Sequence, residues 1–150
     1  MQYIEILARA LFNDFVNPKS AYDDYRLAAA KKKEMENAGE KLVGLYGRGA
    51  GADIDNYYHA LLQCLLAQKG KESQMNGLAM GFLKEHLYDR YKKSSSINGN
   101  MSREDFNADV KKDLKNNEFG SIIGEHNKAK SCYDLLDFLR TQRMRDANIR

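Results

Sequence analysis

The sequence predicts an all-α fold: a single domain built as a bundle of five to six helices around a buried central helix. Three observations carry this. Apolar residues recur at helical spacing along most of the chain, and no useful stretch shows the alternation of a strand. Pro18 is the one proline in 150 residues, so few positions demand a helix break. Hydrophobic content of 43% beside 30% charged residues is ordinary globular composition, enough for a core without metal or disulfide staples.

The elements follow in order. Ile4, Leu7, Ala8, Leu11, Phe12 and Phe15 share one face of a first amphipathic helix, which ends near Asn17 and Pro18. A second helix is expected from about Ser20 through Lys33 and on toward Leu45, with Ala28, Ala29 and Ala30 as strong formers. Its Lys31, Lys32 and Lys33 read as a solvated face, with an anionic partner as the sharper alternative. The glycine-dense run from Gly44 to Gly51 predicts a loop. With no strand before it, a phosphate cradle is not expected there.

Asp53 or Asp55 is expected to cap a third helix, which runs to about Lys69 and stops at Gly70. Its middle, Ala60 to Ala67, is apolar nearly all round, the pattern of a buried central helix. A fourth helix is expected from about Ser73 to Lys93, followed by a polar loop from Ser94 to Met101. Ser102 with Asp105 resembles a capping box for a fifth helix, whose stripe is Phe106, Val110 and Leu114 and which should close before Gly120. Ser131 can cap a last helix through Cys132, Leu135, Leu136 and Leu139, leaving Arg140 to Arg150 as a frayed basic tail.

Bulk properties narrow the function classes. A net charge of +3 is too small to mark a dedicated duplex binder, so no specific nucleic acid partner is expected. No run approaches the ~20 apolar residues of a membrane span. Glu5, Arg9 and Asp14 interrupt the apolar start, so no cleaved signal is expected. The expectation is a product made in the cytoplasm, exported if at all by a specialised secretion system. Cys64 and Cys132 lack C-x-x-C spacing; two free thiols in a reduced compartment is the expected state, with a single bridge as the alternative.

Chemistry concentrates at a few positions. Asp55, His59 and Gln63 lie four apart and form one polar stripe on the third helix. Asp55 is placed to accept from one ring nitrogen, leaving the other free as base or ligand; the plainer alternative is a satisfied core histidine. Ser73, Gly77, Gly81, Glu85 and Asp89 form a row on the fourth helix. Two interior glycines on one face ask for a reason, either close helix packing or room for a ligand beside Glu85. Both turn Glu85 toward a neighbouring element, which makes it an acid/base candidate. Asp105, Asp109 and Asp113 recur on the fifth helix, with Asn117 next. They form either a solvated acidic edge or, at Asp113, a partner for a histidine or a divalent cation. A zinc site from His59, Asp113 and either Glu85 or His86 requires three helices to converge. No H-E-x-x-H, Walker or nucleophile-elbow motif is present.

One ordered set of residues resembles a known family. Asp55-Asn56-Tyr57-Tyr58-His59-Ala60-Leu61-Leu62-Gln63-Cys64, then Lys84-Glu85, then Asp113-Leu114-Lys115-Asn116-Asn117-Glu118-Phe119-Gly120 with Ile122-Ile123-Gly124 occur in sequence. This looks like an uncharacterised helical domain at the C-termini of bacterial Rhs-type and other polymorphic toxins. The aromatic-His helix is also distantly similar to serum amyloid A. The likeness covers about Asp53 to Gly124, and departs where the family often has His-Glu and this chain has Glu85-His86. It implies a bacterial toxin or effector domain, and the polar positions above add the expectation that the domain hydrolyses a cell-envelope or phosphodiester substrate. His59, Glu85 and Asp113 would be its catalytic residues, and Asp55, Gln63, Asn116 and Asn117 its binding residues. A divalent metal is a candidate cofactor, and a cognate immunity or chaperone protein and a membrane surface are candidate partners. The competing expectation is a non-catalytic module whose helices bind lipid or protein.

Overall fold

The computed structural model describes residues 3–88 and 102–150. It is all-α, with no strand among the described residues. Helix α1 is Tyr3–Val16, α2 is Pro18–Tyr46, and a 3-10 segment, Arg48–Ile54, leads into α3, Asp55–Lys69. Helix α4, Lys71–Leu83, passes into a wider π-helical turn, Lys84–Tyr88. Then come α5, Arg103–His126, and two short helices, α6 (Cys132–Leu135) and α7 (Gln142–Asp146), separated by the 3-10 turn Asp137–Leu139. Seven α-helices therefore stand among the described residues, because the expected last helix divides in two.

Local chemistry explains most boundaries. The Asn17 side chain accepts from Ser20 N, and Pro18 occupies the first turn of α2, where its missing N–H is no loss. Gly47 stops α2 at φ 93°, with its N–H returning to Val43 O. Gly70, at φ 141°, separates α3 from α4. Ser102 caps α5 by accepting from Asp105 N at 3.0 Å. The cap expected from Asp53 or Asp55 is absent: Ile54 holds that position on α3 with no side-chain cap, and Asp53 bonds elsewhere. The glycine-dense run is not an open loop either. Gly44 continues α2, and the 3-10 segment after Gly47 buries Ala50 and Ile54.

Helix α3 lies against α2, α4, α5 and α6. It buries Tyr57, Tyr58, Ala60, Leu61, Cys64, Leu66 and Ala67. The main core joins Tyr57, Tyr58, Ala60, Leu61 and Cys64 to Ala38, Leu42, Ala50, Ile54, Leu136, Met144 and Ile149. A smaller cluster, Ile6, Ala10, Met75 and Ala79, fixes α1 on α4. Helix α5 does not close before Gly120 but continues to His126. Gly120 and Gly124 serve contact rather than termination: a Cβ on them would stand 2.1 Å from Ala60 O and 2.3 Å from Cys64 O. The two helices therefore meet backbone to backbone.

Several further expectations are corrected. Cys64 and Cys132 are not free thiols; they form a disulfide that ties α3 to α6. The tail is not frayed: Met144 and Ile149 are buried, Arg140 donates to Ile149 O, and Arg143 forms a two-pronged pair with Asp53. The large apolar stripe of α1 faces outward, with Ile4 79%, Leu11 69%, Phe12 67% and Phe15 89% exposed, while Ile6 and Ala10 make the packed face. Lys31 is buried rather than solvated and donates to Glu34 and to the Tyr133 hydroxyl. The end of the fourth helix expected beyond Tyr88, with Asp89, and the loop Ser94 to Met101 lie outside the described residues. No described helix is long and apolar enough to cross a membrane.

Candidate functional site

Helix α3 supplies His59, the π-helical turn supplies Glu85, and α5 supplies Asp113. One ligand-type atom from each lies within 4.8 Å of the other two. His59 Nε2 stands 3.6 Å from Asp113 Oδ2, and its Nδ1 is 3.2 Å from Asn117 Oδ1. Asn117 follows Asp113 by one helical turn, so a single stripe of α5 addresses both ring nitrogens. The backbone contact at Gly120 brings that stripe close to α3.

The wider turn at Lys84–Tyr88 adds a residue to the helical repeat and alters which side chains face inward. Glu85 is 1% exposed and Asp113 7%. Lys84 Nζ lies 3.2 Å from Glu85 Oε1. Glu85 Oε2 and Asp113 Oδ1 are buried without a hydrogen-bond partner. Such atoms are uncommon in folded proteins, because an unpaired buried polar group costs about 1–3 kcal/mol, and more when charged.

The two glycines of α4 answer to both readings of that row. A Cβ at Gly81 would sit 2.5 Å from Asn117 Nδ2, and one at Gly77 would sit 2.5 Å from Gln63 Oε1. The helices pack closely, and what they make room for is the polar side chains around His59.

Electrostatics sharpen the site. Burial, then the neighbouring Glu85 carboxylate, pushes Asp113 up to about 7. Burial first, and the Lys84 ammonium second, hold His59 below its ordinary value. Burial likewise raises Asp55. The enclosure thus disfavours the charged form of each group taken alone.

A cavity of about 260 Å³ adjoins the cluster. His59, Gln63, Gly81 and Asn117 form part of its wall, Ala28, Ala29, Met35, Leu62 and Met80 give it an apolar surface, and Lys31, Lys32 and Lys84 also line it.

The structure sorts the sequence candidates. His59, Glu85, Asp113 and Asn117 come together. Asp55 shares the α3 face, but the groups beside the ring nitrogens are Asn117 Oδ1, hydrogen-bonded to Nδ1, and Asp113 Oδ2, 3.6 Å from Nε2. Gln63 lines the cavity yet spends its Nε2 on Gly77 O at 2.8 Å. Asn116 points elsewhere and donates to Asn56 at an exposed position. His86 packs its ring on Phe82, so Glu85 is the member of that pair that joins the cluster. Lys31 and Lys32 belong to the run for which an anionic partner is the alternative to a solvated face, but a run of lysines on a helix carries no signal that one face turns inward.

No family model, curated protein or solved structure matches the chain.

Proposed function

We propose that this chain is a toxin- or effector-type hydrolytic domain acting on an anionic cell-envelope ester, with a phosphodiester as the favoured bond. One observation carries the reading. An imidazole and two carboxylates from three separate segments are buried together beside a cavity, with carboxylate oxygens left unpartnered. A core that needed only stability would gain more from apolar side chains, since buried charge must overcome several kcal/mol of desolvation.

In this reading His59, Glu85 and Asp113 bind and polarise a water molecule. Lys84 and Lys32 attract the anionic group of the substrate, and the apolar wall holds its acyl or ring portion. Asn117 keeps the imidazole oriented. The Cys64–Cys132 bridge supports action in an oxidising compartment, where disulfides persist, and so favours an envelope substrate. The likeness to polymorphic-toxin domains supports export by a specialised system and a cognate immunity or chaperone protein.

The test is a release assay on a chromogenic phosphodiester, on phospholipid vesicles and on cell-wall sacculi. His59→Gln and Glu85→Gln should each lose about 100-fold or more in rate, the scale of acid–base groups. Their helicity and thermal midpoint should stay near those of the parent. Equal release by parent and variants would remove the proposal.

A second reading has one observation in its favour. The outward Ile4, Leu11, Phe12 and Phe15 suit a module that binds lipid or protein through α1. Vesicle co-sedimentation that survives His59→Gln, without any hydrolysis, would favour it.

A further inference from the structure

We propose that His59 Nε2 and the carboxylates of Glu85 and Asp113 form a site for one divalent transition cation of the Zn²⁺ or Mn²⁺ class, with coordination positions left open to water. This deepens the hydrolytic reading of the same cluster, yet it stands on observations of its own.

The donor set is the first. One imidazole nitrogen and two carboxylate oxygens match the mixed N/O ligation of such cations, whereas calcium takes six to eight oxygens and magnesium keeps several waters. Three protein ligands, rather than four, leave room for a bound water.

Spacing is the second. Bonds of about 2.0–2.2 Å place neighbouring ligand atoms about 3–3.6 Å apart around a metal, and only a trans pair reaches ~4.4 Å. The observed spread is within 4.8 Å. His59 Nε2 and Asp113 Oδ2, 3.6 Å apart, already stand at that neighbouring-ligand distance, and side-chain adjustment of about 1 Å draws in the Glu85 carboxylate.

The tautomer is the third. With Asn117 Oδ1 accepting from Nδ1–H, the lone pair of the neutral ring lies on Nε2, the nitrogen that faces Asp113. An outer group that fixes a histidine in this manner is the usual accompaniment of a metal ligand.

The unpartnered oxygens are the fourth. The Lys84 ammonium reaches Glu85 Oε1, while Glu85 Oε2 and Asp113 Oδ1 are buried without a hydrogen-bond partner on the two carboxylates that cluster with the imidazole. A lysine–glutamate ion pair therefore explains only part of the arrangement. A cation between the two acids and the ring satisfies the rest.

The experiment uses the full chain, stripped with a chelator, desalted, and titrated with Zn²⁺ by calorimetry and with Mn²⁺ by electron paramagnetic resonance. The expected result is one equivalent bound, with imidazole nitrogen coupling in the pulsed Mn²⁺ spectrum. Glu85→Gln and Asp113→Asn should weaken binding at least 10-fold, and Asn117→Ala by about 10- to 100-fold. Asp105→Asn, an exposed acid on the same helix, should bind as the parent does. Undiminished affinity in folded Glu85→Gln or Asp113→Asn overturns the proposal. If those variants do not fold, the parent decides: no stoichiometric binding, or no nitrogen coupling, overturns it equally. Metal binding without hydrolysis would leave this site standing and remove the hydrolase. Hydrolysis that survives chelation in a protein that binds no metal would do the reverse.

Discussion

Asn117 Oδ1 lies 3.2 Å from His59 Nδ1, across the contact between α5 and α3. An amide oxygen can only accept, so this bond places the ring proton on Nδ1 and the lone pair on Nε2. Heteronuclear NMR at mildly alkaline pH should show one dominant His59 tautomer with Nδ1 protonated. Asn117→Ala should yield a mixture of tautomers and a rate about 10-fold lower, with helicity unchanged. A parent spectrum dominated by Nε2–H would reverse the roles of the two nitrogens.

Gly120 and Gly124 set the distance between the helices that carry the cluster. A methyl group at either would meet α3 backbone at 2.1 and 2.3 Å, and backbone cannot swing aside as a side chain does. Gly120→Ala should cost about 3 kcal/mol or more, the upper range for overpacking. That corresponds to a fall of about 6–12 °C in thermal midpoint. Because Gly120 lies one turn beyond Asn117, activity should fall with stability. Gly44→Ala is the contrast: no neighbour stands within 4 Å, so it should stabilise by about 0.5 kcal/mol.

Locally encoded features were legible and non-local ones were not. The apolar middle of α3, the stop at Gly70 and the Ser102 cap are decided by residues within a turn or two, and all are present. Proximity at i−4 favours Asp55 as the partner of His59, whereas the Asp113 alternative depends on tertiary packing, and it is Asp113, with Asn117, that stands beside the ring. Gly120 looks like a stop signal in the sequence, since glycine's freedom and its lack of bulk look alike there. The basic composition of the tail predicts fraying, because it does not show Asp53, Asp137 and the Ile149 carbonyl that hold Arg140 and Arg143. In α1 periodicity found the largest apolar stripe, yet the fold packs the narrower face of Ile6 and Ala10.

That outward stripe makes its own prediction. Phe12 and Phe15 contribute little to the core, so Phe12→Ser with Phe15→Ser should change folding stability by no more than about 0.5 kcal/mol per site. If α1 docks on lipid, the double variant should lose co-sedimentation with anionic vesicles while its thermal midpoint holds. Retained co-sedimentation would place the contact on another face.

The Asp53–Arg143–Thr141 bonds give a stability term with a defined pH sense. Arg143 first, and the Thr141 hydroxyl after it, hold the Asp53 carboxyl below its usual value. A depressed carboxylate pKa stabilises the fold above the unfolded value, near 4, and that stabilisation is lost as pH falls through the folded value. Arg143 is partly exposed, so the pair should contribute no more than about 1 kcal/mol. Asp53→Asn should therefore be less stable than the parent at neutral pH. The two denaturation curves should converge on acidification below about pH 4. A gap that stays constant with pH would assign the loss to packing rather than charge.

The Cys64–Cys132 bridge closes a loop with a sequence separation of 68, and both sulfurs are buried. Chain-entropy arguments give such a closure about 4 kcal/mol, an upper figure because unfolded chains are already partly compact. Cys64→Ser with Cys132→Ser should accordingly lower unfolding free energy by about 2–4 kcal/mol. Since Gly124 packs on the Cys64 carbonyl, loosening that end of α3 should also relax its contact with α5. Burial adds a kinetic expectation: a thiol reductant must wait for an opening event, so native protein should reduce slowly and protein in denaturant quickly. Rapid reduction of the native chain would show that this end of α3 opens easily. The double variant should then be destabilised by less than 1 kcal/mol, on the order of a partly preformed loop.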